Sequence, residues 1–544
     1  MSLWVFPTLS TFGQSTANTT LRVIVNSNDD GEAQPDNILN LREAISIVNG
    51  TLPLEQLSAI ERKNISPVPG KSSQIEFDLP GDRTTIELNN TLPPLTVPVV
   101  LDGTTQPGYA QRNGENSAII PQPIVVIKPA AGVEVFRGFT IISDNVTIRG
   151  LSIYGFSSRK VGVTANIPPA DIFIGNANDT ATFGERGRAR NPQRSAPKNI
   201  LIDSNWLGIE KLENMLSNLS GDTSLISQIK NLSDRKIKIH IEVADRNNYL
   251  SLRSAFGIYV FNSLGTKISN NLIADHDGSA IITSAKAMNS IITDNVIVAN
   301  GFGGMPDAIR LEGNIAETEI KSNLIRDNAG SAIYLFKPSG SIEVRQNKIT
   351  NNGRQFEQAA VYLMGSDHQI INNQISDQPG PGVVVAAFPN SDRNIILGNE
   401  FANLQGLSID LVTQMNTNLY AYAIGDGPNP KMRSFQRRRQ TANFGIDAPT
   451  FVSREFFLES PNGNVTLQGT AKPGADIEIY RVNEDSNRRG PLSEPIANTL
   501  TDKEGKFSIT IPNLKAGEMV SAIANDRESG TSEPAVNAII KQLL

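Results

Sequence analysis

"GSAIYLFKPSGSIEVRQNKITNNG", residues 330–353, contains two short runs of strand-forming residues and no helical stripe. Ala332–Phe336 and Ser341–Arg345 flank a Pro-Ser-Gly turn, Asn347 follows, and a third short run, Lys348–Thr350, leads to a glycine. Runs of β-branched and aromatic residues punctuated by turn residues read as strands, three of them here. Near-copies stand on both sides. Aligned on the Asn, the chain repeats at Asn271, Asn295, Asn323, Asn347, Asn373 and Asn399, with spacings of 24, 28, 24, 26 and 26 residues. Asn205 is an earlier member of the series, and Gly150 fills the same slot once more.

A fixed period of this length marks a solenoid. Leucine-rich repeats share the period but need a helix or a leucine pattern that is missing here. Three strands per unit separated by turns describe a coil of a parallel β-helix, with about 25 residues per coil. Coils stacked at ~4.8 Å let each strand pair with the coil above and the coil below. The recurrent Asn is expected at a tight corner, where Asn tolerates left-handed backbone and can bond the next Asn in a ladder. Its expected role is structural.

The totals set outer limits. The chain has 544 residues, no cysteine and a net charge of −6, so disulfides, thiolate chemistry and a broad basic face for nucleic acid are all excluded. No window approaches 18 unbroken apolar residues, and no membrane-spanning segment is expected. The opening "MSLWVFPTLSTFG" lacks the basic head and long apolar run of a signal peptide. The one basic cluster, "MRSFQRRRQ" at 432–440, reads as a solvated linker.

Several stretches carry a family resemblance. "LNLREAISIVNG" (39–50), "IEFDLPG…TIELNNTLPPLTVPVVLDGTTQPGY" (75–109) and "GLSIDLV…GDGPNP…NFGIDAPTF" (406–451) resemble the opening, first coils and closing segment of bacterial surface proteins. Those proteins are right-handed parallel β-helices of the pectate-lyase-like fold, and the sequences look cyanobacterial. The resemblance implies a cell-surface, periplasmic or extracellular protein with a polysaccharide or cell-envelope partner. "VTLQGTAKPGADIEIYRV" and the alternating segments after it resemble bacterial Ig-like modules. The expected class is all-β: residues 1–74 as an N-terminal cap region, 75–425 as the β-helix, 426–446 as a linker and 447–544 as an Ig-like β-sandwich. In the cap, Asn40 and Glu43 have capping-box spacing, and Leu41, Ala44, Ile45 and Val48 form an apolar stripe, so a helix is expected near 40–49. Residues 176–197 and 211–253 read as insertions that interrupt the coils.

Strand alternation indicates which side chains leave the solenoid. If Ile258, Ile281, Ile309, Ile333, Val361 and Val383 point inward, then Tyr259, Ile282, Arg310, Tyr334, Tyr362 and Val384 point outward. A second outward column runs Phe261, Ser284, Glu312, Phe336, Met364 and Ala386. Tyr259, Arg310, Tyr334, Phe336 and Tyr362 are therefore the candidate ligand-binding residues, because amphipathic rings stack against sugars. Aromatic residues also fit pleated strands with no ligand at all.

The candidate catalytic set is Asp277, His276, Asp307, Arg310 and Glu312. Glycoside hydrolysis needs paired carboxylates, whereas uronate lyases and epimerases need a base and a charge-stabilising group. "ADHDGSAI" also resembles, without its proline, the Asp-Pro-His-Asp stretch of mannuronan C5-epimerases. Asp-rich turns at 26–37 and 425–430 are where Ca2+ would bind if the protein takes a metal. Three readings remain open at this level: a surface β-helix that binds polysaccharide or a partner protein, a polysaccharide lyase, C5-epimerase or glycoside hydrolase, and a structural envelope component. Oligomeric state is not written in the sequence.

Overall fold

Short strands whose polar backbone must be satisfied on both edges are stable only when stacked, and stacking is what this chain does. A computed structural model describes residues 20–112, 120–158, 168–176, 196–209, 253–388, 390–414, 423–459, 463–483 and 488–542. The expected insertions at 176–197 and 211–253 fall almost wholly outside the described residues.

Three long sheets form the walls. A twelve-stranded sheet runs to Ile395–Leu397, a ten-stranded sheet from Thr85–Leu88 to Glu400–Leu404, and a nine-stranded sheet from Arg137–Ile141 to Ile409–Leu411. Their strands pair in parallel, except that Leu21–Val25 also takes Ile65–Pro67 antiparallel. Successive coils keep residue-for-residue register: Ile258, Ile281, Ile309, Ile333, Val361, Val383 and Ile409 lie in one file. All seven are fully buried, so the inward side of the alternation is as expected.

The Asn ladder is present. Each side-chain carbonyl accepts both the backbone N–H and the Nδ2 of the previous coil's Asn, from Asn205 through Asn271, Asn295, Asn323, Asn347 and Asn373 to Asn399. Each Asn from Asn205 to Asn399 also donates to a main-chain carbonyl of the coil before it. One detail differs from expectation. The left-handed residue is the one before the ladder Asn: Ser204, Asn270, Asp294, Ser322, Gln346 and Asn372 all have φ of 54–57°. The corner thus divides two tasks between neighbours, with backbone strain in one residue and side-chain bonding in the next.

A second ladder lies five residues further along each coil. His276, Asn300, Asn328, Asn352 and Gln378 are linked from side chain to backbone in the same manner.

The ends are closed. The helix Leu41–Val48 starts with a complete capping box, in which the Asn40 side chain accepts from Glu43 N and the Glu43 carboxylate accepts from Asn40 N. Its buried face covers the first coil. At the other end the stretch 426–446 packs onto the solenoid and is not a free linker. Ala442 N donates to Val412 O, Asn443 N donates to Ser391 O, and the Asn443 side-chain carbonyl accepts from Asn394, whose own carbonyl accepts from His368 N. Its short helix Phe435–Arg439 has no buried residue, as expected for the basic cluster, and Lys431 and Arg433 before it are also exposed.

Beyond it, Thr450–Phe451, Val465–Thr470 and Lys506–Ile511 form a three-stranded antiparallel sheet. A second sheet contains Glu455–Phe457, Asp476–Val482, Leu492–Leu500, Met519–Asp526 and Ala538–Lys541. Their buried residues join the core that fills the coils, and Thr531 Oγ1 accepts from Ile396 N at 2.7 Å.

Candidate functional site

The outer face of the nine-stranded sheet presents the file expected from alternation. Phe173, Tyr259, Ile282, Arg310, Tyr334, Tyr362, Val384 and Asp410 are consecutive register partners across eight strands. Their exposure is not uniform. Tyr362 and Val384 are sealed in a small apolar cluster with Ala359, Val412 and Ala423, where Ala359 N donates to Ala423 O at 2.7 Å. The chain after the last coil therefore folds back over these strands. Tyr259 is also largely covered, and its ring stacks on Phe173 at 5.8 Å. What stays half-open lies between: Glu312, Arg310, Tyr334 and Phe336.

This centre is tightly bonded. Arg310 Nη1 donates to Asp307 Oδ2 at 3.1 Å, and Nε donates to Glu312 Oε1 at 2.6 Å. The guanidinium carbon lies 4.8 Å from the Tyr334 ring centre and 5.1 Å from that of Phe336. Tyr334 in turn stacks on Tyr362 at 4.8 Å with 22° between planes. A cation over two rings while paired to two carboxylates is fixed in position. Glu312 is aimed by the backbone as well. The register shifts between Glu312 and Asn314, and Gly313 at φ 76° makes the bulge.

The two carboxyls differ. Asp307 is sealed and takes a bond from Ser331 N at 3.2 Å; burial pushes its pKa up to about 6, with Arg310 opposing. Glu312 keeps 28 % of its side chain exposed.

His276 does not join this set. Its ring is fully buried, with Nδ1 2.8 Å from Asn300 Oδ1 and Nε2 2.8 Å from Asp171 Oδ2. It heads the second ladder, and Asp171 further accepts from the Ser254 hydroxyl. Both ring nitrogens are committed inside the wall, out of reach of a substrate. Asp277 and Asp307 precede paired strands one coil apart, each packed on a glycine, Gly303 and Gly330 respectively.

One residue escaped the sequence reading. Phe388 is 50 % exposed, and Lys337 Nζ lies 5.8 Å from its ring centre and 5.5 Å from that of Phe336. It extends the open aromatic edge. Its only signal was a large apolar residue just past a strand end, in "VVVAAFPN".

Neither Asp-rich turn is arranged as an open cation cage. Asp30 accepts from Arg42 Nε at 2.9 Å and from Nη2 at 3.0 Å, and Asp29 pairs with Ser27. Asp426 N and Gly427 N both donate to Asp410. Among the described residues no group of three or more His, Asp or Glu is placed to hold a metal ion. No described helix is long and apolar enough to cross a membrane.

Comparison with known proteins bears on the architecture. A family model described as "Right handed beta helix region" matches residues 218–349 and 307–426. The coils are a right-handed β-helix. No curated protein matches the sequence. Among solved structures, the enzymatically active domain of tailspike protein 2 from bacteriophage CBA120 is 8% identical, with 86% of this chain and 72% of that one covered at a TM-score of 0.36. The A-module of a mannuronan C-5 epimerase from Azotobacter vinelandii is 12% identical, with 69% and 93% covered at 0.34. A pectate lyase is 9% identical, with 76% and 82% covered at 0.32.

Proposed function

We propose that this protein is a cell-surface or secreted β-helix that binds polysaccharide along the outer face of its nine-stranded sheet. One observation carries the reading: Tyr334 and Phe336 stay half-open, side by side, with Arg310 held against both rings. A pyranose ring has an apolar face that stacks on such rings and a rim of hydroxyls that bond to groups such as Glu312. Arg310 already lies between two carboxylates, so the centre has no surplus positive charge and suits a neutral glycan better than an acidic one. The sheets after residue 447 would act as an Ig-like spacer that holds the solenoid away from its anchorage.

Calorimetric titration with neutral and acidic oligosaccharides tests this. Binding of a neutral chain that falls at least tenfold in Y334A/F336A supports it. Equal affinity in the variant removes the face from the function.

A second reading has its own observation. Asp307 and Glu312 are two carboxyls on one guanidinium in unlike environments, which is how an acid and a base are made to differ. As an enzyme the protein would use Glu312 toward the ligand, with Asp307 and Arg310 behind it. New deuterium at carbon in oligosaccharides incubated in deuterated buffer would favour this reading over simple binding.

A further inference from the structure

Where the last coil meets the C-terminal sheets, the chain encloses a cavity of ≈ 160 Å³. Met432 and Phe451 form apolar wall, Glu533 also lines it, and three cations, Lys431, Arg454 and Arg489, face it. None of these cations makes an ion pair among the described residues. Arg489 spends one nitrogen on Pro534 O at 2.9 Å and is half-buried; burial lowers its pKa, Glu533 opposes that, and Arg488 and Arg454 nearby add to the lowering. The remaining acid of the lining, Asp447, is committed to Arg438 Nη2 at 2.5 Å and to Met432 N at 2.7 Å.

Like charges gathered round a small cleft repel unless something negative enters it. The Glu533 carboxylate, which faces Arg489, is one negative charge against three cations and offsets them only in part. It already accepts from Asn429 N at 2.7 Å, Asn429 Nδ2 at 2.9 Å and Leu411 N at 3.3 Å. We infer that this cleft is a binding site for a carboxylate-bearing compound of single-ring size, a sugar acid, with its carboxylate among Lys431, Arg454 and Arg489 and its ring against Met432 and Phe451. A cavity of about 150 Å³ takes one bare six-membered ring, so the ring would occupy the cleft while the carboxylate lies at its mouth, toward the exposed Lys431 and Arg454. Guanidinium is the group that best matches a carboxylate's two oxygens. The site lies at the end of the solenoid, apart from the aromatic face, and does not depend on what that face binds.

The floor of the cleft makes the site responsive to pH. Burial pushes the Glu533 carboxyl up to about 7. Asp410 and Asp426 face it from the last coil and the turn after it, and Arg489 from the C-terminal side. Asp410 is itself held well above the usual carboxylate range, by burial first and then by Glu533 and Asp426. As pH rises through neutrality, negative charge appears behind the cations and opposes an incoming anion.

The test is calorimetric titration of the full chain with glucuronate, and with glucose as the neutral counterpart, at pH 6 and pH 8. Glucuronate is expected to bind at one site, with glucose at least tenfold weaker and with affinity lower at pH 8. K431Q/R454Q alters two exposed side chains and should melt like the parent while losing at least tenfold in glucuronate affinity; R489Q is the second variant. Absence of glucuronate binding, equal affinity for glucose, or unchanged affinity in K431Q/R454Q would each overturn the inference.

Discussion

Asn347 shows how one residue type holds this molecule together. It is buried and donates to Ile320 O, Arg345 O and Asn373 Oδ1, while its own carbonyl accepts twice from Asn323. Replacing it by Ala strands partners on both neighbouring coils, at a cost of about 3 kcal/mol by the price of unsatisfied buried groups. Urea denaturation should show that loss in N347A. The first ladder was legible because its Asn recurs at a constant place in each unit. The second was equally written, five residues on, as Asn300, Asn328 and Asn352. His276 and Gln378 occupy its other rungs, and that change of residue type disguised it. A histidine between two aspartates reads as chemistry, yet five residues after Asn271 it is a rung. Tyr362 carries a related lesson. Alternation places it correctly in the outward file, but what covers an outward residue depends on the fold of a distant segment, here the chain returning at Ala423.

At the scale of elements, local chemistry was the reliable guide. The helix Leu41–Val48 begins where Asn40 and Glu43 require it to. Asn40→Ala should cost about 1 kcal/mol, read as a lowered thermal midpoint. The bulge after Glu312 could not be foreseen from strand pattern, since a glycine near a strand end serves many turns. Once seen, it is demanding. A Cβ at residue 313 would lie 1.6 Å from Ser284 O, in backbone at φ +76° that L residues rarely adopt. Gly313→Ala is therefore expected to destabilise by about 4 kcal/mol and to displace Glu312, with loss of any ligand contact made there. Urea denaturation and the titrations above check the two effects separately. The segment 426–446 misled in the opposite direction. Its arginines suggested a solvated linker, whereas Met432, Ala442 and Asn443 are buried against the end of the solenoid. Charge described the outer side of that segment and hid its inner one.

At the scale of the whole molecule, a period of strands specified the solenoid, and only the three-dimensional arrangement shows how its end is closed. Glu533, far along the chain, bonds Leu411 of the last coil and Asn429 of the segment beyond it. Burial pushes its carboxyl in the folded protein up to about 7, above the ordinary glutamate value of 4.5. A raised carboxyl means that the folded state binds the proton more tightly, so this group's contribution to stability declines as pH rises from about 4.5 to about 7. Glu533→Gln should remove that part of the slope, seen as a smaller difference in urea midpoint between pH 5 and pH 7.5.

The central claim is that the open aromatic face holds a glycan without transforming it. Native mass spectrometry of the protein with a panel of neutral and acidic oligosaccharides tests this most directly, because it weighs the complex and the ligand together. The account predicts complexes with intact neutral oligosaccharides that vanish in Y334A/F336A. Shortened ligands, or complexes that persist in the variant, would contradict it.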